Sequence, residues 1–152
     1  MQSKLDPFHL QIVSQFFKTK TDYINLISVK KLFSELLDRF RINPIPITKE
    51  TKNLFQYLDT QQIFKEDNNE IILKDVEIIQ FNYPISYIRY LNLKKKYKDK
   101  QLKCKHVKFT QDECAAFHDI PEEVTLLDEN CFYTFSVKEI CIPSNVTFSL
   151  FF

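Results

Sequence analysis

The chain has 152 residues, 44 % of them hydrophobic, and its 21 Lys and Arg against 20 Asp and Glu leave a formal net charge of +1. This composition is sufficient for a buried core, and it gives the whole molecule no electrostatic preference for nucleic acid, an anionic membrane or an acidic partner. The absence of glycine excludes the Gly-rich phosphate loops of P-loop and dinucleotide-binding proteins, because those loops need backbone without a Cβ next to the phosphate.

The N-terminal sequence, MQSKLDPFHLQIV, contains no apolar run of signal-peptide length, and no 18-residue apolar segment occurs elsewhere. We therefore expect an intracellular protein, cytoplasmic or nuclear, without a transmembrane segment. The four cysteines are then expected to be reduced thiols: Cys104, Cys114, Cys131 and Cys141.

Residues 5–40 show helical periodicity. Asp6 precedes Pro7 as an N-cap precedes the first helical residue, and the apolar residues that follow recur at intervals of three and four. The pattern predicts three short helices that pack their apolar faces together. The stretch NPIPI at 43–47 ends them, since proline lacks the N–H and biases the preceding residue away from the helix.

The run D-x3-L-x2-V-x3-F, from Asp22 to Phe33, follows a helix that starts near Leu5, and it resembles the F-box, a helical module of about this length. The pattern departs from that family where Leu5-Asp6-Pro7 displaces the proline by one residue and where Lys30 stands for Cys or Ser. The resemblance implies docking of a Skp-type adaptor on the exposed side of residues 5–17. Its core positions would be Val13, Phe17, Leu26, Val29 and Phe33. The alternative is an ordinary three-helix core, and helical spacing alone does not separate the two.

The middle of the chain mixes helical and strand signals. Thr48 predicts the N-cap of a helix that reaches Leu58, and the β-branched stretches 71–73 and 76–81 predict a strand or a hairpin. Pro84 predicts the start of another helix. Residues 106–110 alternate as a strand does, and Thr110 or Asp112 then caps a short helix that ends at Phe117.

Residues 94–108, KKKYKDKQLKCKHVK, contain eight lysines and one aspartate. One interpretation is nucleic-acid binding by counterion displacement, with Tyr97 and His106 available for stacking. The interpretation that we favour is a solvated connector, because no nucleic-acid-binding signature surrounds the run. A nuclear-import signal is a third interpretation, and Lys-rich runs are too common to be specific.

The C-terminal part contains an internal repeat. Ile120-Pro121-x-x-Val124-Thr125 recurs 22 residues later as Ile142-Pro143-x-x-Val146-Thr147. That period falls within the range of about 20–29 residues of leucine-rich repeats. Each copy predicts a short strand that begins after the proline.

The repeat resembles the BspA-type leucine-rich repeat, I-P-x-x-V-T-x-L-G-x-x-C-F-x-x-C-x-x-L-x-x-I, which Leu127, Cys131, Phe132 and Ile140 also match. Asp128 replaces its glycine, and we expect the tolerance of aspartate for the left-handed region to allow this. The order of helices, NPIPI and repeats resembles BspA-family leucine-rich repeat proteins of protist type over nearly the whole chain. Ser149 stands where the second copy needs leucine, so only about one and a half repeats remain, whereas solenoids need about three.

No pattern in the sequence proposes catalysis. Cys104, His106, Cys114 and His118 supply enough ligands for tetrahedral zinc, but their spacing is unusual and buried inert thiols are the favoured interpretation. The carboxylate pairs at 122–123 and 128–129 are expected to face solvent. We therefore predict no catalytic, cofactor or metal site.

We expect an α+β protein with an F-box-like module at 1–43, a mixed connector at 44–105 and a truncated repeat segment at 106–152. The predicted function is non-enzymatic protein–protein interaction with a protein partner that the sequence does not identify, a Skp-type adaptor on the F-box interpretation. The alternatives are nucleic-acid binding through 94–108 and a non-functional remnant of a longer repeat protein. Cell-surface adhesion, which the BspA name implies for some relatives, conflicts with the expected lack of a signal peptide.

Overall fold

The structure is a computed structural model that describes residues 6–29, 33–66, 69–117, 119–133 and 140–148. These residues form five helices and two small parallel sheets, which confirms the predicted α+β class. The helices are α1 (Pro7–Ser14), α2 (Lys20–Val29), α3 (Ser34–Leu37), α4 (Tyr87–Lys96) and α5 (Gln111–Ala116). The strands are β1 (Thr60–Ile63), β2 (Ile78–Phe81), β3 (Ile85–Ser86), β4 (Gln101–Cys104), β5 (Val107–Phe109), β6 (Leu126–Leu127) and β7 (Thr147–Phe148).

The chain divides into two compact units, Met1–Gln80 and Phe81–Phe152. The boundary lies inside the stretch that the sequence suggested as a connector. The longest helices in the described ranges, α2 and α4, have ten residues each, and none there is long and apolar enough to cross a bilayer.

Both helices at the start of the first unit have side-chain caps. The Asp6 carboxylate accepts the backbone N–H of His9 at 2.9 Å, and Pro7 occupies the first helical turn, so the predicted N-cap is confirmed. Thr19 and Asp22 exchange hydrogen bonds before α2, where the Asp22 carboxylate accepts both the backbone N–H and the hydroxyl of Thr19. These bonds satisfy backbone donors that a helix start otherwise leaves unpaired.

The core of the first unit is an aromatic cluster around Tyr23. The Tyr23 ring lies edge-on to Phe17, Phe40 and Phe55, with centroid distances of 5.4, 6.2 and 5.2 Å. Phe40 and Phe55 also contact each other at 5.4 Å. Edge-to-face geometry brings the positive edge of one ring to the negative face of the next, so the cluster fixes α2 against the chain that follows α3.

After the helices of the first unit, successive segments of the chain run parallel to one another and are hydrogen-bonded at a regular interval. The Arg41 carbonyl accepts the backbone N–H groups of Asp59 and Thr60, and the Asp59 carbonyl accepts those of Glu77 and Ile78. Arg41, Asp59 and Glu77, which we call the rungs of this ladder, are thus 18 residues apart. Single buried apolar residues recur at this interval, Phe40 with Leu58 and Val76, and Ile45 with Ile63, but the residues between them differ, and the sequence analysis did not recognise a repeat here.

Two sequence-based expectations for this unit are wrong. Residues 48–58 form turns instead of a helix, because the Thr51 hydroxyl donates to the Pro46 carbonyl at 2.7 Å and accepts the Thr48 N–H at 2.8 Å. Such local bonds compete with helical ones. Residues 71–73 form no strand, and the Gln61 side chain takes the place of a neighbouring strand by bonding Ile71 O and Leu73 N.

The second unit contains a four-stranded parallel sheet in the order β3-β5-β6-β7. Ile85 pairs with Val107, Lys108 with Leu126, and Leu126 with Thr147. The ladder therefore includes two strands, β3 and β5, that precede the two repeat copies recognised in the sequence. Because Ile85 donates its N–H to His106 O and joins the sheet, the helix predicted from Pro84 begins only at Tyr87, after the N-cap Ser86.

Helix α5 and its cap have the predicted form, with Thr110 as the N-cap. The Glu113 carboxylate is 1 % exposed, and it accepts the Thr110 N–H at 2.8 Å and the Ile88 N–H at 2.6 Å. One buried side chain therefore closes the start of α5 and holds the first turn of α4. The core beside it contains Tyr87, Val107, Phe109, Cys114, Ile120, Val124, Leu127 and Cys131.

Candidate functional site

Helices α1 and α2 expose large apolar side chains. Phe8 and Ile12 lie one helical turn apart on α1 and are 63 % and 43 % exposed, while Phe16, just after the helix, is 75 % exposed. We call the exposed set the α1–α2 apolar face: Phe8, Ile12, Val13, Phe16, Ile24 and Val29. The four-residue spacing of Phe8, Ile12 and Phe16 places them along one side of α1 and the turn after it, and exposed apolar surface of this kind is typical of interaction sites in soluble proteins.

Two members of this face were predicted as core residues. The structure places Val13 and Val29 at the surface, 47 % and 77 % exposed, instead of inside the helical module. The core of this module is formed by the Tyr23 cluster with Leu36 and Leu37. Apolar residues on the other sides of these short helices therefore lie at the protein surface. The other three predicted positions are partly buried: Phe17, Leu26 and Phe33.

Tyr23 positions the α1 part of the face. Its hydroxyl donates to the carbonyl of Ser14, the last residue of α1, at 2.5 Å. Burial, together with the nearby Asp22 carboxylate, raises the pKa of Tyr23 well above its usual range, so the hydroxyl stays protonated and keeps donating. The end of α1 is thereby tied to the aromatic core.

The two copies of the repeat have the same backbone hydrogen bonds. Val124 N–H donates to Pro121 O at 3.0 Å, and Val146 N–H donates to Pro143 O at 3.1 Å. Thr125 N–H then donates to Val107 O and Thr147 N–H to Thr125 O, both at 2.9 Å. The sequence repeat is therefore also a structural repeat. Each copy has a turn after the proline and a strand that pairs with the preceding strand.

Side chains differ more between the copies. In the first copy Ile120 and Val124 are buried, and Leu127 and Cys131 are 1 % exposed, whereas Ile142 of the second copy is 40 % exposed. Phe132, Ile140 and Val146 pack against the core from partly buried positions. Asp128 does not adopt the left-handed conformation expected for it, since no described residue has a positive φ.

Hydroxyl and amide side chains connect neighbouring strands of this ladder. The Thr125 hydroxyl accepts the Val107 N–H at 3.0 Å, and the Thr147 hydroxyl donates to Thr125 O at 3.0 Å. Asn145 donates to Glu122 O and Val124 O. The conserved geometry of the two copies therefore rests on polar side chains as well as on the apolar positions that match the repeat pattern.

Six of the eight lysines in residues 94–108 are exposed: Lys94, Lys95, Lys96, Lys98, Lys103 and Lys105. Lys94 lies 3.8 Å from the Glu123 carboxylate and Lys108 lies 3.0 Å from that of Asp128. The ammonium groups of Lys94 and Lys96 also lie over the rings of Tyr90 and Tyr97. Most of the positive charge on this surface therefore faces solvent.

Cys114 and Cys131 are buried and Cys104 is partly buried, whereas Cys141 is exposed. Burial raises the pKa of Cys104 to about 11 and that of Cys131 to about 12, and it also raises the pKa of Cys114. A protonated thiol is a poor nucleophile and a poor metal ligand. The described residues contain no group of three His, Cys, Asp or Glu side chains that could hold a metal ion, and His118 lies outside them.

Three buried polar residues that organise both units were missed by the sequence analysis. The fully buried Asn43 amide donates to Ile45 O and Gln62 O, each at 2.9 Å, and its oxygen accepts the Gln62 N–H at 2.6 Å. Gln61 and Glu113 bond backbone in the same manner. For Glu113 a signal existed, because Thr110-x-x-Glu113 has the spacing of a capping box. Single Asn and Gln residues offer no such pattern.

The comparisons with known proteins found no match to a family model, to a curated protein or to a solved structure.

Proposed function

We propose that the protein is a non-enzymatic protein–protein interaction module that binds its partner through the α1–α2 apolar face. The observation that carries the proposal is the exposure of Phe8 and Phe16, two aromatic side chains that are 63 % and 75 % exposed. Aromatic residues supply much of the binding energy at interfaces, and truncating such a residue often costs about 2 kcal/mol or more. The anchoring of Ser14 by Tyr23 supports a preformed face, which lowers the entropy cost of binding.

The partner class that we propose is a Skp-type adaptor. The resemblance of the run 22–33 to the F-box supports this choice. Four of the six residues of the apolar face also lie within 5–17, the stretch that the resemblance assigns to the adaptor. The parallel ladder of the second unit, with strand offsets of 18 to 22 residues, supports a leucine-rich-repeat-like scaffold for that unit.

A pull-down with a purified Skp-type adaptor tests the proposal. We expect the intact protein to retain the adaptor and the double variant Phe8→Ser/Phe16→Ser to lose at least about tenfold in affinity. The matched control is Tyr133→Ser, an aromatic side chain of the second unit that is 85 % exposed. Failure to retain the adaptor where a control F-box does, or equal binding by the double variant, would refute the partner assignment.

A second candidate function is the binding of nucleic acid through the exposed lysines of residues 94–108. The observation that favours it is that Lys95 and Lys98 are exposed and that no described carboxylate pairs with either of them. Each phosphate contact releases counterions, so binding should weaken steeply as salt rises. The double variant Lys95→Gln/Lys98→Gln should reduce both affinity and the salt slope, by about one unit per lost contact.

The control for this experiment is Lys49→Gln/Lys52→Gln, which removes the same charge from exposed positions of the first unit. An electrophoretic shift of single- or double-stranded oligonucleotides at low salt provides the measurement. No shift at low salt, or equal effects of the two double variants, would eliminate specific binding at this surface.

A further inference from the structure

A cavity of about 510 Å³ opens in the first unit, and its position and lining differ from those of the α1–α2 apolar face. It is lined by Gln11, Gln15, Arg39, Phe40, Arg41, Ile42, Asn43, Pro44 and Gln62. None of these residues belongs to the apolar face. The volume falls within the range of about 300–1,000 Å³ that is usual for small-molecule sites.

The lining carries positive charge without a carboxylate among its nine residues. Arg39 and Arg41 flank Phe40, which is 4 % exposed. The Phe40 side chain lies in the core, and both arginines are exposed and line the cavity. Arg41 is oriented by its Nη1 bond to Tyr57 O at 2.9 Å, and its Nε lies 4.0 Å from the exposed Asp59 carboxylate. Within the described residues, the Arg39 side chain has no ion-pair partner.

The wall that carries the two arginines is held in place by buried groups. The Asn43 amide bonds backbone at Ile45 and Gln62, and the Phe40 ring belongs to the Tyr23 cluster. The opposite wall, α1, is tied to Tyr23 through Ser14. Because both walls are fixed to the same core, the backbone that carries the arginines is held in place, and the bond to Tyr57 O also orients the Arg41 guanidinium, which lowers the entropy cost of binding.

We propose that this cavity binds a small organic phosphate monoester. The phosphate lies between Arg39 and Arg41, whose planar forks suit its oxygens, and two guanidinium groups match a charge of about −2 at neutral pH. A phosphate alone would leave much of the cavity empty. The organic part contacts Gln11 and Gln15, whose amides both donate and accept, so a hydroxyl-rich carbon skeleton fits them.

Calorimetric titration of the intact protein tests this site with three probes: ribose 5-phosphate, glycerol 3-phosphate and free phosphoserine. We expect binding of at least one of them, with at least about tenfold weaker binding of the same molecule without its phosphate and of inorganic phosphate. Arg39→Gln should weaken that binding by about ten- to a hundredfold, because it removes a charge-assisted contact. The control is Lys49→Gln, which removes an exposed cation of the same unit and should leave binding unchanged.

Several outcomes would overturn the proposal. They are no binding of any probe at about 1 mM, equal binding of inorganic phosphate, or an Arg39→Gln variant with unaltered affinity. Much tighter binding of a phosphoserine peptide than of free phosphoserine would assign the site to a protein ligand instead of a small molecule. Because the α1–α2 apolar face is not part of the cavity, Phe8→Ser/Phe16→Ser should retain phosphate-ester binding, which separates this inference from the proposed function.

Discussion

In both units, successive segments of the chain run parallel to one another and recur at similar intervals. The side chains that bond one segment to the next differ between the units. In the first unit the connections are fully buried amides, and Asn43 alone makes three bonds to backbone. In the second unit they are the hydroxyls of Thr125 and Thr147, with one bond each across the ladder, and the amide of Asn145, which is exposed. A buried amide that bonds several backbone groups is harder to substitute than a hydroxyl with one bond or an amide that water can reach, so the first unit concentrates stability in fewer residues.

The largest expected effect comes from the aromatic core of the first unit. Tyr23→Ala removes a fully buried ring and the bond to Ser14, and we expect the free energy of unfolding to fall by about 3–5 kcal/mol. Urea unfolding followed by circular dichroism measures the change. Tyr133→Ala, at an 85 % exposed ring of the second unit, should change stability by less than about 0.5 kcal/mol. Equal effects would show that the Tyr23 cluster does not organise its unit.

Asn43→Ala separates the amide connections from the hydroxyl connections. It removes the amide that bonds the partly buried Gln62 N–H and two carbonyls, so we expect a loss of about 2–3 kcal/mol. The matched control is Asn53→Ala, at an exposed position, for which we expect almost no loss. A small effect of Asn43→Ala in the same urea titration would mean that water replaces the amide and that the two units are connected equally.

How well the sequence predicted each region follows from the same contrast. In the second unit the apolar and hydroxyl residues recur together, so Ile120, Val124 and Thr125 predicted a repeated strand. The second copy has the same backbone hydrogen bonds as the first. In the first unit the rungs at Arg41, Asp59 and Glu77 share no residue type, and only single buried apolar residues such as Phe40, Leu58 and Val76 recur with them, so the parallel arrangement was not recognised. Helix caps were predictable because each is local: the Asp6 carboxylate accepts the N–H of His9, and the Glu113 carboxylate accepts the N–H of Thr110, each three residues away.

The candidate sites were predictable in part for a related reason. Helical periodicity marks which residues share a face, but it does not say which face is buried, and this is why Val13 and Val29 were placed in the core. The cavity depends on residues from α1, from the turn after α3 and from β1, and local sequence patterns carry no information about such contacts. Its arginines, 39 and 41, form no motif by themselves.

Within the second unit, Thr125→Val tests the strength of a hydroxyl connection. The substitution keeps the shape and removes the acceptor of the Val107 N–H, so we expect a loss of about 1 kcal/mol. Thr147→Val, at an exposed residue of the edge strand β7, should cost less because water can replace its bond to Thr125 O. Thermal unfolding of both variants provides the comparison. A loss for Thr125→Val as large as that for Asn43→Ala would remove the distinction between the units.

The smallest expected effect concerns Glu70, whose Oε1 accepts the N–H groups of Phe64 and Lys65 while its buried Oε2 has no partner among the described residues. Burial raises the pKa of Glu70, partly offset by those two bonds. A carboxyl with a raised folded-state pKa stabilises the fold below its unfolded pKa, and this contribution is lost as pH rises through the folded pKa.

Glu70→Gln keeps an acceptor for both N–H groups and removes the titration, so the stability of the variant relative to the wild type should increase from pH 4 to pH 7. Urea titrations at both pH values measure this difference, with the exposed Glu77→Gln as control; a relative stability that does not change with pH would show that Glu70 titrates normally in the folded protein.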